Sequence, residues 1–168
     1  MKQAKTFTVQ FRRKREGKTN YKKRLKLLLS KKIRLVIRLS LMDVSCQLIE
    51  FHPEGDRVVA AAHSRALKKL GWKFHNGNIP SAYLTGYLLG ARAKEKGIKE
   101  AVLDIGLKGP VKGSRVFACL KGAVDAGLDI AYSEEIIPPE KRLSGKHISD
   151  EIAKSFDDIK NKILKVKQ

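Results

Sequence analysis

The residues best suited to chemistry in this chain are cations and glycines. Residues 106–114 read GLKGPVKGS, a glycine-rich loop that invites a phosphate-binding reading. It does not fit a nucleoside triphosphate loop, whose GxxxxGK[ST] pattern puts Lys directly after Gly, because here Lys112 precedes Gly113. A weaker anion site survives. Gly113, Ser114 and Arg115 open a helix, where free N–H groups and the helix dipole favour a phosphate, and Lys108, Lys112 and Arg115 surround it. Other reactive side chains stand alone. His63 and Ser64 are strand neighbours pointing to opposite faces, so they form no catalytic pair. His52, His63, His75 and His147 show no ligand spacing, so no metal is expected. Cys46 and Cys119 lie far apart in apolar runs, which suits buried thiols in a reducing compartment. No catalytic residue and no cofactor is expected.

Charge narrows the function further. The 168 residues contain 36 Lys+Arg and 17 Asp+Glu, a formal net charge of +19. Such an excess excludes an ordinary metabolic enzyme as the default and points to a polyanionic partner, nucleic acid before membrane. The distribution is one-sided. Residues 1–34 hold 14 Lys/Arg and a single acid, Glu16, while residues 35–140 hold 14 basic and 12 acidic side chains. A nearly neutral body therefore carries a strongly basic arm, and a block of like charge is a binding segment. A membrane is not the expected partner. The longest charge-free stretch, residues 75–91, contains Pro80 and two asparagines and falls short of the ~20 apolar residues of a span. The arm also lacks the amphipathic aromatic face of an interfacial anchor. With a polar, basic start that is no signal peptide, the expected location is cytoplasmic.

The elements that position these residues follow from pattern. Residues 1–17 show no sustained period and read as an extended basic arm with Phe7 and Phe11 interleaved. Thr19 or Asn20 can cap a helix to about Lys32, with Tyr21, Leu25, Leu28 and Leu29 as an apolar, core-packing stripe and Lys18, Lys22 and Lys26 as a basic one. Three strands are expected at Arg34–Ser40, Cys46–Phe51 and Arg57–His63, joined as an antiparallel meander. Residues 64–78 look irregular; Trp72 there suits either a base stack or the core, and Tyr83 beyond it suits the core. A long helix from Ile79 to Lys96 carries Pro80 in its first turn and Gly97 after its end. Its Ala82, Gly86, Gly90 and Ala93 form a small-residue face for close approach to a sheet. A strand at Ala101–Ile105, a helix at Ser114–Ala126 and a last strand at Leu128–Tyr132 follow. Pro138-Pro139 interrupts the chain, and a helix over 148–165 buries Ile148, Ile152, Phe156, Ile159 and Ile163.

The expected architecture is α/β: a mixed five-stranded sheet, meander plus parallel strands, with helices on both faces, a basic N-terminal arm and a C-terminal helix. The expected division is an arm at 1–17, an α/β RNA-binding domain at 18–133 and a tail with its helix at 134–168. The element order resembles the ribonuclease H-like topology, which raises a two-metal nuclease as the enzyme alternative. That chemistry needs several convergent carboxylates to hold ions about 4 Å apart. The first strand offers Arg38 and no acid, and the helix from Ile79 has none before Glu95. Asp104 alone cannot hold the metals and is expected to cap the following loop.

Five blocks carry a more specific resemblance: RRKREGKTNYKKRLKLL, NIPSAYLTGYLLGARAKEKGI, AVLDIGL, GSRVFACLKGAVDAGLDI and GKHISDEI. Together, in order and over nearly the whole chain, they closely resemble the 5S ribosomal RNA-binding protein family of the large ribosomal subunit. The family comprises large-subunit protein eighteen, here of archaeal type, and the related eukaryotic large-subunit protein five. The resemblance implies a structural protein of the central protuberance, bound to 5S ribosomal RNA and to the large ribosomal RNA. It also implies neighbouring large-subunit ribosomal proteins as partners, including the other 5S-associated protein. On this chain the implied RNA contacts fall on Arg12, Arg13, Lys14, Arg15, Lys18, Thr19, Tyr21 and Arg24, and on Gly113, Ser114 and Arg115. The basic stripe and the loop add Lys22 and Lys112. Two departures stand out: Ile33-Arg34 replaces the usual Pro-Arg before the first strand, and a tail from about residue 134 exceeds the bacterial length while lacking the long eukaryotic extension.

If the arm dominates affinity, removing residues 1–17 takes away Lys2, Lys5, Arg12, Arg13, Lys14 and Arg15 but no expected strand. Binding to 5S RNA then weakens strongly in a competition assay while the circular dichroism spectrum persists.

Overall fold

The computed structural model describes residues 8–165. Residues 1–7 of the basic arm, with Lys2, Lys5 and Phe7, lie outside the described residues. Within the rest of the arm, Arg12–Arg15 forms a single helical turn, α1, where an extended segment is expected. Helix α2 spans Tyr21–Leu29. Asn20 caps it, its side chain accepting from the backbone N–H of Lys23 at 3.1 Å. It ends three residues early, at the left-handed Lys31 with φ 54°.

The meander forms as read. Strands β1 (Arg34–Leu39), β2 (Val44–Glu50) and β3 (Arg57–His63) pair antiparallel, with an irregularity between Leu48 and Ile49. Strand β4 (Val102–Asp104) pairs parallel to β1, giving the order β3-β2-β1-β4. The sheet thus has four strands, not five. Leu128–Tyr132 keeps the alternating burial of a strand, with Leu128 and Ile130 in the core and Asp129 and Ala131 exposed. Its ladder shrinks to one parallel bridge, Glu100 with Asp129. The neighbour it would pair with is only three residues long, so side-chain burial is satisfied where backbone pairing has no template.

Turn α3 (Ala66–Lys69) fills part of the stretch expected to be irregular. Trp72 beside it is 2% exposed, its indole N–H donating to the carbonyl of His75 at 3.3 Å, so it is core. Helix α4 (Ile79–Glu95) begins at Asn78, whose side chain accepts from Ser81 N–H, and ends before Gly97. Helix α5 (Arg115–Asp125) follows the glycine-rich loop. A short 3-10 turn at Glu134–Ile136 and a helical turn, α6 (Glu140–Leu143), lead to α7 (Asp150–Lys165). Ile152, Phe156, Ile159 and Ile163 join the central core as read, and the Phe156 ring lies 5.2 Å from that of Tyr83. Ile148 does not; it precedes the helix and is exposed.

The small-residue face of α4 meets α5 rather than the sheet. A Cβ on Gly86 would fall on the carbonyl of Cys119, one on Gly122 of α5 on the carbonyl of Tyr83, and one on Gly90 against Ala123 and Ala126. The two backbones therefore touch through reciprocal glycines. Cys119 in this contact reaches Cys46 on β2, the two buried thiols 2.8 Å apart. Burial, with Cys46 adding to it, pushes the Cys119 thiol pKa up.

The interlock predicts an asymmetry among glycines. Gly86→Ala should cost roughly 3 kcal/mol by urea denaturation, although Ala exceeds Gly in helix propensity by ~1 kcal/mol. Gly109→Ala, where nothing lies within 4 Å of the added carbon, should leave the midpoint unchanged.

Candidate nucleic-acid interface

The outward face of β1 carries Arg34, Val36 and Arg38, because alternate residues share a side while Leu35 and Ile37 enter the core. Two carboxylates organise these arginines. Arg34 Nη2 donates to Asp56 Oδ2 at 2.7 Å and its Nη1 to Asp104 Oδ2 at 3.1 Å. Arg24, reaching over from α2, grips Asp56 with both terminal nitrogens at 2.9 and 2.8 Å. Arg38 pairs with Asp104 Oδ1 at 3.3 Å and donates to the Asp104 carbonyl. Asp104 also accepts from Gly106 N–H at 2.8 Å, so it caps the loop as expected. Gly106 has φ +67°, which favours glycine, and a Cβ there would come 3.0 Å from the Arg38 guanidinium carbon.

Hydrogen bonds from Arg24, opposed by burial and helped by Arg34, hold the Asp56 carboxyl below its ordinary range. The same bond from Asp56 raises the Arg24 pKa. This network is absent from the sequence reading, yet the period-two spacing of Arg34 and Arg38 in a strand was its available signal.

The arm folds against the start of α2. The Phe11 and Tyr21 rings lie 5.1 Å apart, and Arg13 Nε donates to Thr19 Oγ1 at 2.9 Å. Glu16 is shared by Arg12 at 3.3 Å and Lys18 at 2.8 Å. Lys14, Arg15 and Lys22 are exposed and make no ion pair among the described residues. On α2 the expected core stripe is not buried: Leu25 and Leu29 are 61% and 71% exposed. The helix is instead rotated to turn Arg24 and Leu27 toward the sheet, because the Arg24–Asp56 pair sets its orientation. So the structure brings together Arg12, Arg13, Lys18, Thr19 and Tyr21, and leaves Arg24 committed to Asp56.

The second group sits apart. Lys112 pairs with Glu135 at 3.1 Å, both exposed, and Gly113 N–H donates to the Ile136 carbonyl. Ser114 takes the extended N-cap conformation but its hydroxyl makes no cap bond. Arg115 turns back onto the body, its Nη1 donating to the carbonyls of Gly77 at 2.7 Å and Ser40 at 3.3 Å. It pins two turns together, and its remaining N–H groups have no partner among the described residues. Only the first residues of the loop, Gly106 and Leu107, share a cavity wall with Arg13 and Thr19.

Ser64, by contrast, is fully buried: its hydroxyl donates to Asp43 and accepts from Val44 N–H, a purely structural arrangement. Among the described residues, no helix is long and apolar enough to cross a membrane, and no acid, His or Cys cluster could hold a metal.

A near-neutral α/β body with cations and an aromatic pair concentrated on one appended element has the build of an RNA-binding protein. Over residues 5–99 and 91–133 the sequence matches the family described as ribosomal large subunit proteins 60S L5, and 50S L18. The chain belongs to this family. It is a structural, non-enzymatic component of the large subunit of the cytoplasmic ribosome.

Asp56 links this surface to pH. Because its folded-state pKa is lowered, its contribution to stability is complete above pH about 5 and fades as pH falls below the free value of about 3.9. Asp56→Asn should therefore lower the melting temperature at pH 7, with the gap to wild type closing in scans taken toward pH 2.

Proposed function

We propose that this chain binds 5S ribosomal RNA and attaches it to the large ribosomal RNA in the central protuberance, beside the other 5S-associated protein. The carrying observation is the placement of the basic segment. Cations of α1 and α2 project from a body whose own charges nearly cancel, and the Phe11–Tyr21 contact anchors the arm to the start of α2. Family membership and the five sequence blocks support the same reading. RNA helices are recognised mainly through shape, phosphates and 2′-hydroxyls, which suits a surface of Lys and Arg with few base-reading groups. We assign the contacts to Arg12, Arg13, Lys14, Arg15, Lys18, Thr19, Tyr21 and Lys22. Arg24 serves as the strut that orients them. Lys112, Gly113, Ser114 and Arg115 form a second, smaller contact at the α5 start.

The same reading extends to organisation. The order β3-β2-β1-β4, with Asp129 bridged in the fifth position, supports a ribonuclease H-like topology. The division into arm, body to residue 133 and tail is supported by the end of the family match at that residue.

Neutralising about eight phosphates gives a log–log slope of binding constant against salt near −6 to −7. Filter binding of 5S RNA from 50 to 400 mM salt, against transfer RNA as competitor, tests this. A slope shallower than about −2, or no preference for 5S RNA, refutes the assignment.

A further inference from the structure

Between α2 and the outer face of the sheet lies a cavity of about 720 Å³. Seven of its lining side chains are cationic and two, Asp56 and Asp104, are carboxylates. Both carboxylates are already held by guanidiniums, so the cavity keeps a large positive excess. One of its lining groups is incomplete. Arg34 is 3% exposed, and its two terminal nitrogens are satisfied by Asp56 and Asp104. Its Nε is buried with no hydrogen-bond partner among the described residues. Buried N–H groups of charged side chains are rarely left in this condition without a ligand or water to accept from them. The Arg38 side chain, also lining the cavity, is 51% exposed, so the space is open to solvent.

Much of the remaining wall is apolar: Leu27, Val36, Ile49, Leu103 and Ile105, with the Tyr21 ring beside them. A simple anion would use the cations and leave that wall and most of the volume empty. A nucleotide matches both halves, with a phosphate for the guanidiniums and a base for the apolar wall. Unstacked bases of single-stranded RNA are commonly held against aromatic rings or Arg guanidinium planes, and Tyr21 and Arg38 line this cavity too.

We propose that this cavity receives one unpaired nucleotide of the bound RNA, its phosphate taken by the exposed guanidinium of Arg38 beside the buried Arg34 and its base laid on the apolar wall. The proposal rests on the RNA-binding reading above and adds a defined pocket to it. The RNA thereby inserts beneath α2 as well as lying over the outside of the helix.

Leu27→Trp tests this in the full chain, because it fills the cavity without altering any charge. Binding to 5S RNA should weaken fivefold or more while the salt slope becomes shallower by at most about one, the loss of a single phosphate contact. A smaller loss of affinity, or a slope shallower by about two or more, overturns the proposal. In parallel, the Arg34 Nε–Hε resonance of the wild-type chain is followed during titration with 5S RNA. It should shift, and an unmoved resonance overturns the proposal; this readout decides alone if Leu27→Trp does not retain the wild-type circular dichroism. Inorganic phosphate that reproduces the whole shift makes this a free-phosphate site and overturns the nucleotide assignment. Should the wild-type chain show no preference for 5S RNA, the 5S reading fails by itself. The resonance is then read with a mixed-sequence single-stranded octaribonucleotide, where a shift retains the pocket and none removes it.

Discussion

Two carboxylates shared among three guanidiniums hold the basic helix to the body. Helix α2 buries no residue fully, so hydrophobic burial alone does not fix how it docks. Nine residues are also too few for a stable isolated helix in water. Without Asp56 and Asp104, the cations of α2 would lie over a sheet face that itself presents Arg34 and Arg38, and repulsion would drive the two apart. With them, Arg24 spans from the helix to the loop residue just before β3 through one bidentate pair. Ion pairs of this kind add little net stability, because desolvation offsets attraction, but they select one geometry among many. Here the selected geometry is the register of α2 on the sheet, and with it the direction in which Lys22 and the arm project.

The opposite side of the sheet is built for rigidity by other means. Reciprocal glycines bring α4 and α5 into backbone contact, and a contact so close tolerates little sliding. Helix α7 then covers α4 with Ile152, Phe156, Ile159 and Ile163. Its basic residues are partly turned inward: Lys160 lies 5.4 and 5.6 Å from the centres of the Tyr83 and Tyr87 rings, and Lys162 donates to the carbonyl of Leu70. Net positive charge in the tail is therefore a poor guide to RNA contact, since some of it serves packing. Tyr83 in this layer has its pKa raised by burial and by its hydrogen bond to Asp125.

Much of this was legible from sequence wherever the signal is local. The meander, α4 and α5 follow from alternation, from caps such as Asn20 and Asn78 and from stops such as Gly97 and Gly127. What was not legible depends on partners distant in the chain. The Tyr21, Leu25, Leu28, Leu29 stripe reads as a core face, but the orientation of α2 is set by Asp56, thirty-two residues beyond Arg24. The small face of α4 is plain in the sequence, while the identity of its neighbour is not, since a sheet and a second glycine-bearing helix both accept it. Arg115 illustrates the same limit at the candidate site. Its position at a helix start suggests a phosphate, but its guanidinium is partly taken by carbonyls of Ser40 and Gly77, backbone atoms that carry no sequence signal.

The cations of this surface consequently divide into two kinds with different physical roles. Lys14, Arg15 and Lys22 are exposed and unpaired among the described residues, so they supply charge through mobile side chains and tolerate many phosphate geometries. Arg13, Arg24, Arg34 and Arg38 are fixed by Thr19, Asp56 and Asp104. A guanidinium carries five donors, so a carboxylate that holds two of them still leaves others able to meet an anion. Fixing the side chain removes the rotamer entropy that binding would otherwise cost, about 0.5–1.5 kcal/mol for each. On the proposed RNA-binding reading, attraction over distance falls to the exposed cations of the arm and α2, and discrimination of RNA shape to arginines, such as Arg13, whose positions the protein has already set.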